Sequence, residues 1–405
     1  MTPRVGGVLR DVVVVGGSVA GIRTAAALRR HGFDGSIRVL SAETVEHYYR
    51  PALSKSFLAG EQTEDELLLG GFDDLNLEIL SNTLAVTLDT KRRSLMVRRG
   101  PNHAEVRYDA LVVATGLTPR RMPWPELEGI HYLRELADAQ TLRRELGRNP
   151  SVVIAGGGLI GTEVAATCRK LGLDVTIVQP APSLLEPAVG PVMGRLLTAL
   201  HTAHGVRVRT GASVIGVAGH RRVESASLST GERLPADIVV VAAGSRPQTD
   251  WLVGSGLDIS DGVVCAANLA VLGAENIVAV GDVARYPRPS GVGSMRMEHW
   301  ENAIRQSDIA ARRVLDGPGA PAFTAHTAYW TTQYETQIHV LGAPAMGDEF
   351  HILEGGLAER AAVAAYHRDG TVTAILSLNQ PQRLRAYRQL LGTARLHGPA
   401  LVSDQ

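Results

Sequence analysis

Cysteine is nearly missing from this chain. Cys168 and Cys265 are the only two among 405 residues, and they lie far apart with no CxxC or CxxxxC spacing. Neither a redox dithiol nor a zinc cluster can be read from them, and no metal site is expected. They read as small buried apolar residues. A charge excess is missing too: Lys+Arg and Asp+Glu are each 41, for a formal net charge of zero. No global attraction to nucleic acid or an anionic membrane is expected, and a charged partner must meet a local patch. Met1 to Asp11 lacks an apolar run of signal-peptide length, and no later run approaches a membrane span, so a soluble, cytoplasmic protein is expected. Low-complexity segments are also lacking. Apolar residues are plentiful, at 45% of the chain, which suits two or three domains better than one core.

One local pattern occurs twice. Asp11 to Gly16 (DVVVVG) is a β-branched run without polar alternation, which predicts a strand buried on both faces of a parallel sheet. Val19, Ala20, Ile22, Ala25, Ala26 and Leu28 recur at helical spacing up to Arg30, and Ile37 to Leu40 reads as the next strand. After Pro119, Pro123 and Pro125, a strand (Ser151 to Ala155), turn (Gly156 to Gly161), helix (Leu159 to Leu171) and strand (Val175 to Val178) repeat the unit about 140 residues on. Two further apolar strands end in glycine, Ile238 to Gly244 and Asn276 to Gly281, and each is expected to close one domain. Beyond Gly317, Pro318, Gly319 and Pro321 the composition shifts to aromatics and alternating segments such as Thr371 to Leu378, predicting a small α+β domain. The end past Gly398 is expected to be loose.

The turns carry the chemistry. Gly156, Gly158 and Gly161 form a GxGxxG between strand and helix, opening onto Leu159 and Ile160. The first glycine permits a sharp turn, the second a close approach of backbone to a pyrophosphate, and the third close helix–strand packing. The helix start then offers N–H groups and a positive dipole to phosphates. The first unit reads Gly16, Gly17, Ser18, Val19, Ala20, Gly21, with a small serine where closest approach favours glycine. Glu43 follows the second strand, where an acid can accept from a ribose diol; alone, it reads equally as a solvated loop residue. The equivalent position in the second unit is Gln179, whose neutral amide neither repels a 2′-phosphate nor binds it as arginine would. NADH and NADPH both stay open.

The run Tyr48, Tyr49, Arg50, Pro51, Ala52, Leu53, Ser54, Lys55, together with Ala114-Thr115-Gly116, Ala279-Val280-Gly281-Asp282 and Tyr329-Trp330-Thr331-Thr332-Gln333, resembles the FAD-dependent NAD(P)H:ferredoxin reductases of bacterial cytochrome P450 and ring-hydroxylating dioxygenase systems. The resemblance spans essentially the whole chain. It implies two Rossmann-like dinucleotide-binding domains on a glutathione-reductase-like plan, an α/β fold with a small α+β C-terminal domain. The FAD-binding domain is then 1–118 with 244–320, the NAD(P)-binding domain 119–243 and the C-terminal domain 321–405. It further implies that FAD is held by Gly16, Ser18, Val19, Ala20, Gly21, Glu43, Arg50 and Lys55, by Thr115, Gly116, Arg120 and Arg134, by Gly281 and Asp282, and by Trp300 and Trp330. Near Ala85 the main chain is implied to meet the adenine, leaving that side chain unconstrained. NAD(P) falls to Gly156, Gly158, Leu159, Ile160, Gly161, Gln179 and Gly244. Asp282 reads alternatively as a helix N-cap, and Trp330 as core of the third domain.

Lys55 and Glu163 are the implied catalytic residues, a lysine paired with a glutamate close to the flavin N5. A hydride arriving there builds negative charge that an ammonium in a water-poor pocket stabilises, and the glutamate holds the ammonium. Where the family usually carries Ser-Asp-Gln after its tryptophan, this chain has Thr331, Thr332 and Gln333, so a carboxylate is missing at 332. The expected reaction is hydride transfer from NADH or NADPH to FAD, then release of single electrons to an acidic iron–sulfur ferredoxin. Arg305, Arg312 and Arg313 are candidate docking residues. A disulfide oxidoreductase or NADH peroxidase would need a reactive cysteine between Glu43 and Lys55, and none is there. Reduction of monodehydroascorbate or oxygen stays open. An interaction protein like apoptosis-inducing factor would favour a basic face or a targeting segment, against the zero net charge.

Overall fold

The computed structural model describes residues 9–45, 47–288, 293–324 and 327–393; the expectations for the first eight residues and for the end past Gly398 lie outside them. The chain divides into two compact units, Met1–Tyr49, Asp65–Thr118 and Ser245–Ala325 in one, Arg50–Glu64, Pro119–Gly244 and His326–Gln405 in the other. Five helices matter below: α1 (Val19–Arg30), α2 (Leu136–Leu146), α3 (Leu159–Lys170), α4 (Glu186–Ala203) and α5 (Trp300–Asp316).

The first unit is built on a five-stranded parallel sheet in the order Ile277–Ala279, Ala110–Val113, Asp11–Val15, Ser36–Leu40, Glu78–Leu80. Asp11–Val15 is the central strand, which is why it is an unbroken valine run: Val12, Val13 and Val14 have no exposed surface. Burying a valine side chain contributes roughly 1.5–3 kcal/mol, so these residues anchor the sheet. An antiparallel meander, Leu84–Asp89, Ser94–Arg99 and Asn102–Arg107, stands beside it. Ala85 lies buried there in the same core as Leu95 and Val97, so its side chain is constrained by packing, contrary to expectation.

The second unit repeats the plan with the order Arg207–Thr210, Asp174–Gln179, Ser151–Ala155, Ile238–Val241, Ile130–Tyr132. A five-stranded antiparallel sheet follows: Ala328–Gln333, Thr336–Gly342, Thr371–Leu378, Ala361–Arg368, Glu349–Gly356. It packs on α4, with Val189, Met193 and Leu197 against Ile338, Val340 and Tyr366. Gly190 interrupts α4 at φ 78°, and a Cβ there would stand 2.3 Å from the Tyr366 ring. The fold is therefore α/β with two Rossmann-like sheets and a C-terminal antiparallel sheet.

The glycine-terminated runs are longer than their strands. Ile238–Val241 and Ile277–Ala279 stop short of Gly244 and Gly281. Ala242 and Val280 each still donate once to the neighbouring strand, to the carbonyls of Ala155 and Val113, before the glycines turn away at φ 92° and 77°. Among the described residues no helix is long and apolar enough to cross a membrane.

Candidate functional site

Each unit carries the same strand–turn–helix device. At Gly16 and Gly156 φ is 117° and 118°, and a Cβ would stand 2.2 Å from the Ala114 carbonyl oxygen and 2.3 Å from that of Ala242. At Gly21 and Gly161 it would stand 1.9 and 2.0 Å from the carbonyl oxygens of Gly16 and Gly156. First and third glycines therefore press on each other across the turn, and neither admits a side chain. The middle position differs. A Cβ at Gly158 would meet nothing within 4 Å, and Ser18 holds the same extended conformation, φ −80° and ψ −173° against −79° and −170°. The serine thus costs the turn nothing. The opening N–H groups of α1 and α3, at Val19 and Ala20 and at Leu159 and Ile160, lie past these cradles. A helix start behind a cradle of glycines, with one small serine in the first turn, fits a dinucleotide pyrophosphate.

Around the first turn, Gly281 closes in on α1: a Cβ there would stand 2.9 Å from the Ala20 Cβ, and its N–H donates to Gln306 Oε1 at 2.7 Å. Asp282 is thereby set beside the start of α1. Gly281–Val283 is a single 3-10 turn leading into strand Ala284–Pro287, so no α-helix starts at Asp282 as the N-cap alternative required. Glu43 receives the Tyr48 hydroxyl at 2.5 Å, a partner that spacing did not reveal. Thr115 donates its hydroxyl to the Gln248 carbonyl at 2.8 Å, and Gly116 accepts the Gln248 N–H at 2.9 Å. Trp300 opens α5 and meets the Tyr49 ring edge-on at 5.1 Å between centroids. Further along α5, Arg312 is exposed and pairs with Asp308, and Arg305 is half-buried. Arg313 is buried and donates to the Glu275 carbonyl at 3.1 Å. It cannot serve docking, because it belongs to the face that packs inward with Ala303 and Ala310.

The remaining expected residues fall in the second unit. Arg50 donates to the Arg134 carbonyl at 2.7 Å, and Arg134 leads into the capping box of α2. The Arg120 N–H donates to the Gly244 carbonyl at 3.0 Å. Gln179 ends its strand buried, and its Oε1 accepts the Gly157 N–H at 2.9 Å. The amide oxygen thus braces the second turn. Trp330 and Thr332 stand half-buried on one face of Ala328–Gln333, while Tyr329, Thr331 and Gln333 are buried on the other. Trp330 is therefore not core.

Lys55 and Glu163 meet, with Nζ 2.5 Å from Oε2. The carboxylate is 5% exposed and the ammonium 24%. Lys55 follows the 3-10 helix Arg50–Ser54, and Glu163 sits in the first turns of α3. Two further donors complete the carboxylate: Ser54 Oγ at 2.6 Å from Oε2 and Thr331 Oγ1 at 2.8 Å from Oε1. Sequence reasoning missed both. The signal available was only their place in the motifs that flank Lys55 and Trp330. A buried carboxylate with two hydroxyl donors and an ammonium has its polar atoms partnered without water. Both cysteines are inert here: burial pushes the thiols of Cys168 and Cys265 up to about 12.

Comparison with known proteins agrees with this geometry. The pyridine nucleotide-disulphide oxidoreductase family matches residues 10–307 and the reductase C-terminal domain residues 328–405. Rhodocoxin reductase of Rhodococcus erythropolis is 32% identical over 97% of this chain and 92% of its own. The ferredoxin–NAD(+) reductase component of the biphenyl dioxygenase system of Paraburkholderia xenovorans (strain LB400) is 33% identical over 94% of this chain and 93% of its own. The crystal structure of the covalent putidaredoxin reductase–putidaredoxin complex superposes with a TM-score of 0.87, at 31% identity, over 94% of this chain and 92% of that one. The chain belongs to the pyridine nucleotide-disulphide oxidoreductase family and, within it, to the ferredoxin reductases.

Proposed function

We propose that this protein is a cytoplasmic NADH:ferredoxin reductase that holds FAD on the Gly16–Gly21 turn and NADH on the Gly156–Gly161 turn, and feeds single electrons to an iron–sulfur protein serving a cytochrome P450 or similar oxygenase. The observation that carries the reading is the Lys55–Glu163 pair beside a second complete dinucleotide turn. FAD held there would supply the hydride-accepting and one-electron-donating chemistry. The chain's part is to bind, orient and supply charge. Gly16, Ser18, Val19, Ala20 and Gly21 would receive the pyrophosphate, Glu43 the ribose diol, and Asp282, beside α1, the sugar chain. Arg50, Thr115, Gly116, Arg120, Arg134, Trp300, Trp330 and the main chain at Ala85 would complete the FAD contacts. Lys55 supplies a fixed positive charge where negative charge develops.

NADH is preferred over NADPH in this reading. The Gln179 oxygen is already engaged by Gly157, and residues 180–185 contain no basic side chain to pair with a 2′-phosphate. The relatives whose names carry NAD(+) support the same choice. The domain division 1–118 with 244–320, 119–243 and 321–405 is part of the proposal, as is an exposed Arg312 in contact with an acidic partner. The test is anaerobic stopped-flow mixing of the yellow protein with NADH and NADPH, followed by a panel of ferredoxins. Flavin bleached by NADH and reoxidised by a ferredoxin is expected; flavin that stays oxidised overturns the reading.

A further inference from the structure

A longer polar chain lies behind the Lys55–Glu163 pair, all within the second unit. His201 on α4 has no exposed surface. Its Nε2 stands 2.8 Å from Gln333 Oε1 and its Nδ1 3.0 Å from the Tyr334 hydroxyl. Gln333, 1% exposed, places Nε2 2.8 Å from Thr162 Oγ1 and 3.2 Å from Thr331 Oγ1. Thr331 donates to Glu163, and Thr162 donates to the Gly158 carbonyl at 2.9 Å.

The donor and acceptor inventory fits these contacts with a single polarity. An amide oxygen only accepts, so His201 carries its proton on Nε2; Nδ1 then accepts, and Tyr334 donates. The amide's two hydrogens go to the two threonine oxygens. Each hydroxyl, having accepted, turns its own proton onward, one to the Glu163 carboxylate and one to the Gly158 carbonyl. Burial holds His201 neutral, with its pKa down at about 4, so it keeps one donor and one acceptor at physiological pH. An apolar pair of similar shape would fill this space at little cost to stability, so core packing alone gives no reason for the polar chain.

We propose that Gln333 is a positioning residue for hydride transfer: one amide aims the Glu163 carboxylate through Thr331 and braces the nicotinamide nucleotide's phosphate turn through Thr162. This rests on the function proposed above, that the turn and the pair serve one nucleotide. The two arms separate the effects. The Thr331 arm sets the ammonium and hence the rate; the Thr162 arm sets the turn and hence affinity.

The experiment compares the full-length holoenzyme with Gln333→Leu/His201→Leu, which leaves no orphaned histidine, and with Gln333→Glu, Thr331→Val and Thr162→Val. Readouts are the calorimetric Kd for NAD+, the limiting rate of anaerobic flavin reduction by NADH, and the imidazole 15N signals of His201. The double variant should keep its flavin, reduce it about ten- to a hundredfold more slowly and bind NAD+ about two- to tenfold more weakly. Thr331→Val should slow reduction with Kd unchanged, and Thr162→Val should weaken NAD+ with the rate nearly kept. Gln333→Glu retains the His201 contact but has no hydrogens for the threonines, so it should be slow even where the double variant does not fold. Wild-type 15N signals should report the Nε2–H tautomer. Wild-type rate and Kd in Gln333→Glu, or an Nδ1–H tautomer, overturn the proposal. A wild-type protein that NADH does not reduce sinks the functional reading instead, a distinguishable failure.

Discussion

Lys55 Nζ and Glu163 Oε2 stand 2.5 Å apart across 108 positions of sequence, the ammonium partly open and the carboxylate closed off. The asymmetry decides what each substitution does. Lys55→Met removes the charge and leaves a buried carboxylate with only Ser54 and Thr331 as donors. It is expected to slow flavin reduction by about a hundredfold and to destabilise the fold by roughly 2 kcal/mol, below the full cost of breaking a buried pair because the ammonium is partly solvated. Glu163→Gln keeps the shape, loses the anchor for Lys55, and should slow reduction with a smaller loss of stability. Stopped-flow rates beside thermal denaturation check both; a wild-type rate in Lys55→Met removes the lysine from the chemistry.

The glycine turns give a contrast between structure and binding. Gly161→Ala puts a methyl 2.0 Å from the Gly156 carbonyl oxygen and should cost several kcal/mol, roughly 3 or more by the usual scale of overpacking. Gly158→Ala meets no atom within 4 Å and should leave Tm nearly unchanged while weakening NADH, because its methyl occupies the space a pyrophosphate needs. Equal destabilisation in Gly158→Ala and Gly161→Ala contradicts this division.

Nucleotide choice turns on Gln179. Gln179→Glu keeps an acceptor for the Gly157 N–H and adds a carboxylate, which should sharpen discrimination against NADPH by about tenfold in the kcat/KM ratio. Steady-state kinetics with both nucleotides checks it, and a wild-type protein that prefers NADPH refutes the reading of this position.

Docking charge can be tested at Arg312 but not at its neighbour. Arg312→Glu, exposed and set against Asp308, should raise the apparent KM for an acidic iron–sulfur partner and spare reduction of a small dye. Arg313→Glu should instead lower Tm, because it buries a carboxylate against the Glu275 carbonyl.

These contrasts mark how far the sequence could be read. The valine run at Val12 to Val15 identified a central strand, and the glycine spacing identified both turns, because periodicity and backbone sterics are local. Beyond the Lys55–Glu163 pair that the resemblance implied, partners that converge across long separations were not legible. Ser54 and Thr331 reach Glu163 over 109 and 168 positions, and only the packed structure brings them there. Gln333 looked like the tail of a motif, yet it joins a helix, a turn and a strand. Arg313 was legible and misread: it continues Ala303, Gln306 and Ala310 at helical spacing, the buried stripe of α5.

Acid stability offers the last test, through His201. Its ordinary pKa of 6.5 falls to about 4 in the fold, chiefly because burial disfavours the charged ring, with His204 adding to it and the Gln333 contact opposing it. The Tyr334 hydroxyl faces the other nitrogen. Between pH 6.5 and 4 the unfolded chain binds a proton here that the folded chain refuses, so stability rises with pH across this window and is lost as pH falls. By pH 5 the loss from this group should reach about 2 kcal/mol. His131 and His339 are shifted in the same direction by burial, so the wild-type slope is shared, and the difference from His201→Gln isolates the one group. Gln at 201 can still donate to Gln333 and accept from Tyr334 but does not titrate. Urea unfolding at pH 7 and pH 5 should therefore show a smaller pH-dependent loss in the variant by about that amount; parallel losses in both proteins would mean that the folded chain takes up the proton at His201 as readily as the unfolded one, with Nδ1 then donating to Tyr334.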